Sequence, residues 1–351
     1  MYEAFYGLTG KPFQLNPDPE FYFGSRGHKR AFAYLQYGIH QSEGFIVITG
    51  EIGAGKTTIV RSLFEQIDRS TVVAAQLVST QLDADDMLRS VAVAFGLPVK
   101  SLDKAMLLAS LEAFLCQLAV EGKRALLVID EAQNLTPRAV EELRMLSNFQ
   151  LGDKALMQSF LVGQPELRMM MQSPRMQQLR QRVIASYHLG PLDRGETQAY
   201  VEHRLAHVGW NGDPSFDPQC FDVIHALTGG IPRRINTLCN RLLLSGFLAE
   251  KHALDGNDVR AIAREIDEEM GPAAVVPGTT YVADAANGAP AAALHAVTAS
   301  GEDAPAWEAH FRHLEERIDR LDRTVGGAVD LLHRLLHPDK AIMKPGGPGR
   351  A

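Results

Sequence analysis

At 351 residues, 46% hydrophobic and 22% charged, the chain has the make-up of a soluble globular protein somewhat larger than one average domain. A net charge of −7 argues against a broad nucleic-acid footprint, though a local basic patch survives such an average. The three cysteines, Cys116, Cys220 and Cys239, are far apart and form no C-x-x-C, which fits buried thiols in a reducing compartment better than a disulfide or zinc frame.

The start, Met1-Tyr2-Glu3-Ala4-Phe5, lacks the basic residues and apolar core of a signal peptide. The longest apolar stretch, Leu242 to Ala249, falls far short of the roughly 20 residues of a membrane span. The expected location is the cytosol, or the periphery of the inner membrane through a partner.

Residues 1–44 form an N-terminal segment in which Pro12, Pro17 and Pro19 interrupt a run of aromatics, Phe5, Tyr6, Phe13, Phe21, Tyr22 and Phe23. Two roles are open to it: packing on the core, or, given the phosphate-binding type of loop G-x-x-x-x-G-K-T that follows at Gly50–Thr57, flanking the adenine ring of a nucleotide. Gly27 to Gln41 has helical spacing.

Residues 45–190 alternate strand and helix. The pattern predicts strands at Phe45–Thr49, Val72–Val78, Ala125–Asp130, Gln158–Gly163 and Ala185–Leu189. Helices are expected at Gly55–Ile67, Asp83–Phe95, Lys104–Glu121, Pro137–Asn148 and Pro174–Arg182. Asp83 and the pair Thr136-Pro137 are helix-start signals. The all-apolar run Leu126-Leu127-Val128-Ile129 reads as a parallel strand covered on both faces. The expected fold class is α/β, a doubly wound parallel sheet.

The first strand leads into Gly50-Glu51-Ile52-Gly53-Ala54-Gly55-Lys56-Thr57-Thr58, the pattern G-x-x-x-x-G-K-T between a strand and a helix. Glycines let backbone N–H groups converge on a phosphate, and the following helix turns its positive end to the same spot. Gly50, Glu51, Gly53, Ala54, Gly55, Lys56, Thr57 and Thr58 are the candidate nucleotide-binding residues. Lys56 has the reach for the β- and γ-phosphates, and Thr57 offers a hydroxyl to Mg²⁺. ATP and Mg²⁺ are the implied cofactors.

The strand ending in Asp130-Glu131 sets two carboxylates at the sheet's C-terminal edge. Asp130 is the second candidate metal residue, and Glu131 the candidate catalytic group that polarises water. Gln164, at the end of the fourth strand, is a candidate sensor of the γ-phosphate, or a turn residue before Pro165. Among Arg175, Arg180 and Arg182, Arg182 is chosen as the arginine that enters a neighbouring subunit's site. Residues 191–268 read as helices alone, a small lid. There Arg233, just after Gly229-Gly230-Ile231-Pro232, can reach the γ-phosphate.

Residues 269–305, rich in Ala, Gly, Pro and Thr, have the composition of a disordered linker. Residues 306–337 then carry Trp307, Phe311, Leu314, Ile318, Leu321, Val325, Ala328, Leu332 and Leu335 at heptad spacing, interrupted by Gly326-Gly327. This is a coiled-coil helix for self-association or a partner, or an amphipathic helix that docks back. Residues 338–351 form a polar tail.

P-loop, Asp-Glu strand, polar strand end, arginine cluster and lid with Gly-x-Pro-Arg, in that order, resemble the AAA+ ATPases. The stretches Phe13-Gln14-Leu15-Asn16-Pro17-Asp18-Pro19, Phe21-Tyr22-Phe23, Ser25 and His28, Asp130-Glu131-Ala132-Gln133-Asn134-Leu135 and Gly230-Ile231-Pro232-Arg233-Arg234-Ile235-Asn236 are similar to the ExeA-type branch, over about residues 1–268. That branch holds secretion, pilus-biogenesis and transposition-helper ATPases. The opening Met1 to Leu8 resembles ATPases of the exosortase system, which accompany exopolysaccharide synthesis and PEP-CTERM sorting. The resemblance implies ATP hydrolysis in a homo-oligomeric ring, coupled to envelope polysaccharide or sorting machinery. The alternatives are a DNA-directed ATPase of the transposition-helper type, or a nucleotide-gated scaffold for a secretion or pilus machine. Nucleic acid is the less favoured partner on charge.

Overall fold

The computed structural model describes residues 1–41, 44–78, 82–99 and 103–270. The linker, the coiled coil and the tail expected beyond residue 270 lie outside the described residues. Those described all belong to one compact unit of the chain.

Five strands carry the site: β1 (Phe45–Gly50), β2 (Val72–Val78), β3 (Arg124–Asp130), β4 (Met157–Gly163) and β5 (Val183–Leu189). Each predicted strand is present to within two residues at either end. All pair in parallel, in the order β2-β3-β4-β1-β5. Consecutive strands β1 and β2 are therefore not neighbours: β4 and β3 stand between them. The P-loop after β1 and the Asp-Glu pair after β3 leave from the same edge of the sheet, flanking the end of β4.

Helices cover both faces. On one side pack α1 (Arg26–Gln41) and α2 (Lys56–Gln66), with Leu35, Ile59 and Leu63 against Ile46, Val128 and Phe160. On the other lie α3 (Ala84–Ala94), α4 (Lys104–Val120) and α5 (Pro137–Leu146), whose Leu88, Leu111 and Leu143 meet Leu127 and Ile129. A strand covered on both sides has no polar face to show, which is why β3 reads as a continuous apolar run. The helix starts follow their caps. Thr136 Oγ1 accepts from the Ala139 N–H at 3.1 Å, and Asp103 accepts from Met106 N at 2.8 Å.

Helix α6 (Pro165–Gln172) follows β4 directly; α7 (Arg194–His207), α8 (Pro218–Thr228), α9 (Pro232–Leu248) and α10 (Gly256–Met270) make the lid. Helix α7 opens with a capping box, Asp193 to Glu196. The lid is not helices alone: Ser215–Phe216 pairs in parallel with Ala253–Leu254. Its last helix runs to Met270, so the first two positions assigned to the linker are helical.

One predicted element changes and two that were not predicted appear. Helix α6 forms where a turn before Pro165 was one reading, because proline at the first helical position costs no hydrogen bond. The helix expected at Pro174–Arg182 is a 3₁₀ turn, Pro174–Met176, and a single α-turn, Gln177–Arg180. A short hairpin, Gln150–Leu151 with Lys154–Ala155, precedes β4.

The N-terminal segment divides. Residues 26–41 are α1, on the sheet. Ahead of them a strap crosses to the lid and begins with one helical turn, Tyr2–Phe5. Tyr2, Tyr6, Leu8, Phe13 and Phe21 join the lid's own core with Leu205, Ile235 and Leu243. Tyr6 and Phe13 are each 1% exposed, and full burial of an aromatic of this size contributes about 1.5–3 kcal/mol. Tyr6 Oη donates to the Lys251 carbonyl at 3.0 Å, and Tyr2 Oη to Asn240 at 2.8 Å. The buried Arg204 guanidinium donates to the carbonyls of Pro12 and Gln14 at 2.5 and 3.3 Å and lies over the Phe21 ring. The strap is thus a structural part of the lid.

Candidate functional site

The P-loop turns sharply at Gly53 and Gly55, with φ of +83° and +98°, in the left-handed region that disfavours any side chain. Helix α2 begins immediately afterwards with no side-chain cap, so the N–H groups of its first turn are left for an anion. Lys56 is buried, and its Nζ donates to the carbonyls of Gly50 and Glu51 at 2.7 and 2.9 Å. Burial pulls its pKa below the ordinary lysine range, against the carboxylates of Glu131, Asp130, Glu51 and Glu166, which push it up.

Thr57 Oγ1 donates to Asp130 Oδ2 at 3.0 Å, while Asp130 Oδ1 accepts from the Glu131 N–H at 3.0 Å. Asp130 is buried, and burial raises its pKa, opposed by those two donors and by Lys56. A hydroxyl and a carboxylate held side by side next to a phosphate-binding loop suit Mg²⁺, which takes few protein ligands and keeps water and phosphate oxygens for the rest. A cation there would also offset the cost of a buried carboxylate.

Glu131 has φ +54°, one of two non-glycine residues with positive φ among those described. Its Oε2 accepts from Gln133 Nε2 at 2.5 Å and from Gln164 Nε2 at 2.9 Å. Gln164 lies half-buried where β4 passes into α6.

Over the loop stands a cavity of about 190 Å³, roofed on one side by strap residues such as Asn16 and Tyr22 and on the other by Pro232, Arg233 and Asn236 of the lid. Gly53, Gly55, Lys56, Thr57, Thr58 and Glu131 line its floor. The lid touches the loop directly, since the Arg233 N–H donates to the Gly53 carbonyl at 3.1 Å. His28 of α1 closes the loop from the other side. Its Nε2 faces the Ala54 carbonyl at 3.0 Å and must carry the proton; Nδ1 then accepts from Ser25 Oγ at 2.7 Å. Burial lowers the His28 pKa, opposed by the Ala54 bond and the Glu196 charge.

The structure therefore brings together Lys56, Thr57, Thr58, Asp130, Glu131, Gln164 and Arg233. Gly50, Glu51 and Ala54 belong to the loop itself: the first two supply the carbonyls that hold Lys56, and Ala54 the carbonyl under His28. Arg182 is not brought to this site. It sits where β5 begins, at the opposite edge of the sheet, with its carbonyl accepting from Phe45 N and its Nη1 donating to Ser147 Oγ at 2.8 Å. Arg175 and Arg180 are exposed on the preceding turns. The strap packs into the lid core, the first of the roles open to it, and also lines the cavity. His28 and Gln133 are site residues whose roles the sequence leaves unassigned, because each is defined by a partner distant in the chain.

A parallel sheet in this strand order, a P-loop on β1, an Asp-Glu pair on β3 and a helical lid beyond define an AAA+ P-loop NTPase fold. Residues 39–171 match the AAA domain family. Over 268 residues the chain is 39% identical to General secretion pathway protein A of Aeromonas hydrophila, covering 76% of this chain and 48% of that protein. The chain thus spans about half the length of that relative. Among solved structures it resembles the Aeropyrum pernix ORC2 protein in its ADP form, with a TM-score of 0.55, 19% identity and 72% of each chain covered. It also resembles the ORC1 protein of Aeropyrum pernix in complex with DNA, with a TM-score of 0.54, 16% identity, and 74% and 70% of the two chains covered. At such identities the likeness to these two is one of fold. Residues 39–171 carry an AAA domain, within a longer stretch similar to General secretion pathway protein A. Among them no helix is long and apolar enough to cross a membrane.

Proposed function

We propose that this protein binds ATP with Mg²⁺, hydrolyses it, and uses the cycle to drive or regulate an envelope assembly, either exopolysaccharide export or exosortase-linked sorting. The observation that carries the reading is the meeting of Lys56, Thr57 and Glu131 at one cavity between strap and lid, with Asp130 hydrogen-bonded to Thr57 beneath it. Phosphate oxygens entering the loop would take the Lys56 ammonium from the Gly50 and Glu51 carbonyls and meet the uncapped N–H groups of α2. Thr57 and Asp130 would hold Mg²⁺, which supplies charge neutralisation at the phosphates. Glu131 orients the attacking water and takes its proton. Gln164 and Arg233 report phosphate occupancy to β4 and to the lid.

The resemblance of the opening residues to exosortase-associated ATPases supports the finer assignment, and the relation to General secretion pathway protein A supports the coarser one. Residues 306–337 are the proposed contact with a partner or a second copy. In a ring, an arginine from 175–182 would complete the neighbouring site. Arg182 serves only by leaving Ser147, and Arg180, though exposed, by leaving the Gln172 carbonyl.

The test is the Glu131→Gln variant of the full chain, assayed for nucleotide binding, turnover and sedimentation with ATP and Mg²⁺. Expected are retained binding, turnover lower by about a hundredfold or more, and a nucleotide-dependent oligomer. Undiminished turnover removes Glu131 from the chemistry. Slow wild-type turnover that added partner leaves unchanged favours a nucleotide-gated scaffold, and ATP-dependent, salt-sensitive DNA binding favours a DNA-directed ATPase.

A further inference from the structure

Glu131 is the carboxylate on which turnover depends in the reading above, and an unrestrained glutamate samples several rotamers. Its environment leaves it little choice. Gln133, two residues on in the 3₁₀ turn Ala132–Asn134, folds back so that its amide spans Glu131 and the end of β4. The Gln164 backbone N–H, which can only donate, points at Gln133 Oε1 at 2.9 Å. That bond decides which way round the amide sits: its carbonyl faces Gln164 and its NH₂ faces Glu131, donating to Oε2 at 2.5 Å. The Gln164 side chain donates to the same Oε2 at 2.9 Å. Three residues thus close a ring of hydrogen bonds in which every donor meets an acceptor.

The space for this ring is built into the backbone. A Cβ on Gly163 would stand 2.7 Å from Gln133 Oε1, so only glycine lets the amide approach the strand end. Gln164 sits at the N-cap position of α6 yet makes no side-chain cap bond, its amide being turned to Glu131 instead. Both amides fall on one carboxylate oxygen. Oε1 has no hydrogen-bond partner among the described residues and remains available to a water.

We propose that Gln133 is a positioning residue for Glu131: oriented by the Gln164 backbone N–H, its amide pins one carboxylate oxygen and leaves the other for the attacking water. The inference rests on Glu131 being the water-activating group. It adds that the geometry of this group is set from the end of β4, the place where Gln164 meets the phosphate. A shift of the β4–α6 junction therefore changes the aim of Glu131 through Gln133 without moving Lys56 or Thr57.

The test uses the full chain with Gln133→Met, which keeps length but neither donates nor accepts, and Gln133→Glu, which still accepts from Gln164 N–H but sets a carboxylate against Glu131. Thermal unfolding verifies the fold, and a fluorescent ATP analogue gives nucleotide affinity apart from steady-state turnover. Expected is a fall in kcat of about ten- to a hundredfold in both variants, with nucleotide affinity within about twofold of wild type. The same Gln133→Met change in the Glu131→Gln background should cost nothing further, since a group that acts through Glu131 has nothing left to position. Unchanged kcat in either variant overturns the proposal, as does a loss shared by affinity and kcat or one that repeats in full when Glu131 is already replaced. Should Glu131→Gln alone keep normal turnover, the underlying reading of Glu131 fails first, an outcome separate from normal turnover in the Gln133 variants beside an inactive Glu131→Gln.

Discussion

Substituting Gly53 by Ala tests the contact between lid and P-loop without removing any group that would touch phosphate. Gly53 has φ +83°, and an L-residue in that region pays about 1–2 kcal/mol. The new Cβ would lie 2.3 Å from Arg233 Cβ, where an ordinary carbon contact is about 3.5–4.0 Å. Cβ is the root of the arginine side chain, so a rotamer change gives no relief and the first turn of α9 must withdraw by about an ångström or more. Withdrawal breaks the Arg233 N–H bond to Gly53, worth about 0.5–1.5 kcal/mol net. The lost bond alone weighs about 0.5–1.5 kcal/mol against the docked lid, a factor of roughly two to thirteen in its population, since the φ cost is borne by the loop whether or not the lid is docked. Hydrogen exchange of the Arg233 amide reads this directly. Gly122→Ala supplies the control: φ is +72° there, but nothing lies within 4 Å of the added Cβ, so it reports the backbone cost alone. Equal protection of the Arg233 amide in wild type and Gly53→Ala would refute the contact as drawn.

Two further outcomes follow from packing and titration. Burial holds His28 below its ordinary value of 6.5, so between its folded and unfolded pKa the unfolded chain binds the extra proton and stability rises with pH. As pH falls below about 6.5 the wild type should lose thermal stability more steeply than His28→Leu, and parallel curves would remove His28 as the titrating group. Gly38→Ala places a Cβ 2.7 Å from Ile46 Cγ1 and 2.8 Å from Phe160 Cε1. Overpacking of about 1–3 kcal/mol should outweigh the gain in helix propensity of about 0.5–1 kcal/mol, and a variant more stable to denaturant than wild type would contradict the close approach of α1 to the sheet.

The sheet, its loop and its Asp-Glu pair were legible because their signals are local. A buried parallel strand is an apolar run, and a P-loop is a fixed spacing in a strand–helix context. The strap was not: Tyr6, Phe13 and Phe21 keep no helical or strand period around Pro12, Pro17 and Pro19, and their burial is decided by lid residues some 200 positions away, such as Lys251 and Arg204. Gln133 is invisible for a similar reason, since its role exists only because β3 and β4 are neighbours, a consequence of strand order. Helix α6 was hidden by Pro165, whose residue type serves equally to break a chain and to start a helix. Arg182 looks free in the sequence because Ser147, which holds it, belongs to the end of another helix.

The strap also has a consequence for the order in which the chain is made. Its aromatic residues leave the ribosome well before the helices that bury them, which follow the whole sheet domain. The growing chain must therefore carry Tyr2, Tyr6 and Phe13 uncovered until residues near 250 emerge, and only then is the cavity roofed on its second side. A chain cut before α9 loses the Arg233 contact to Gly53 and leaves the strap's aromatic residues uncovered, so a loss late in the fold damages its start.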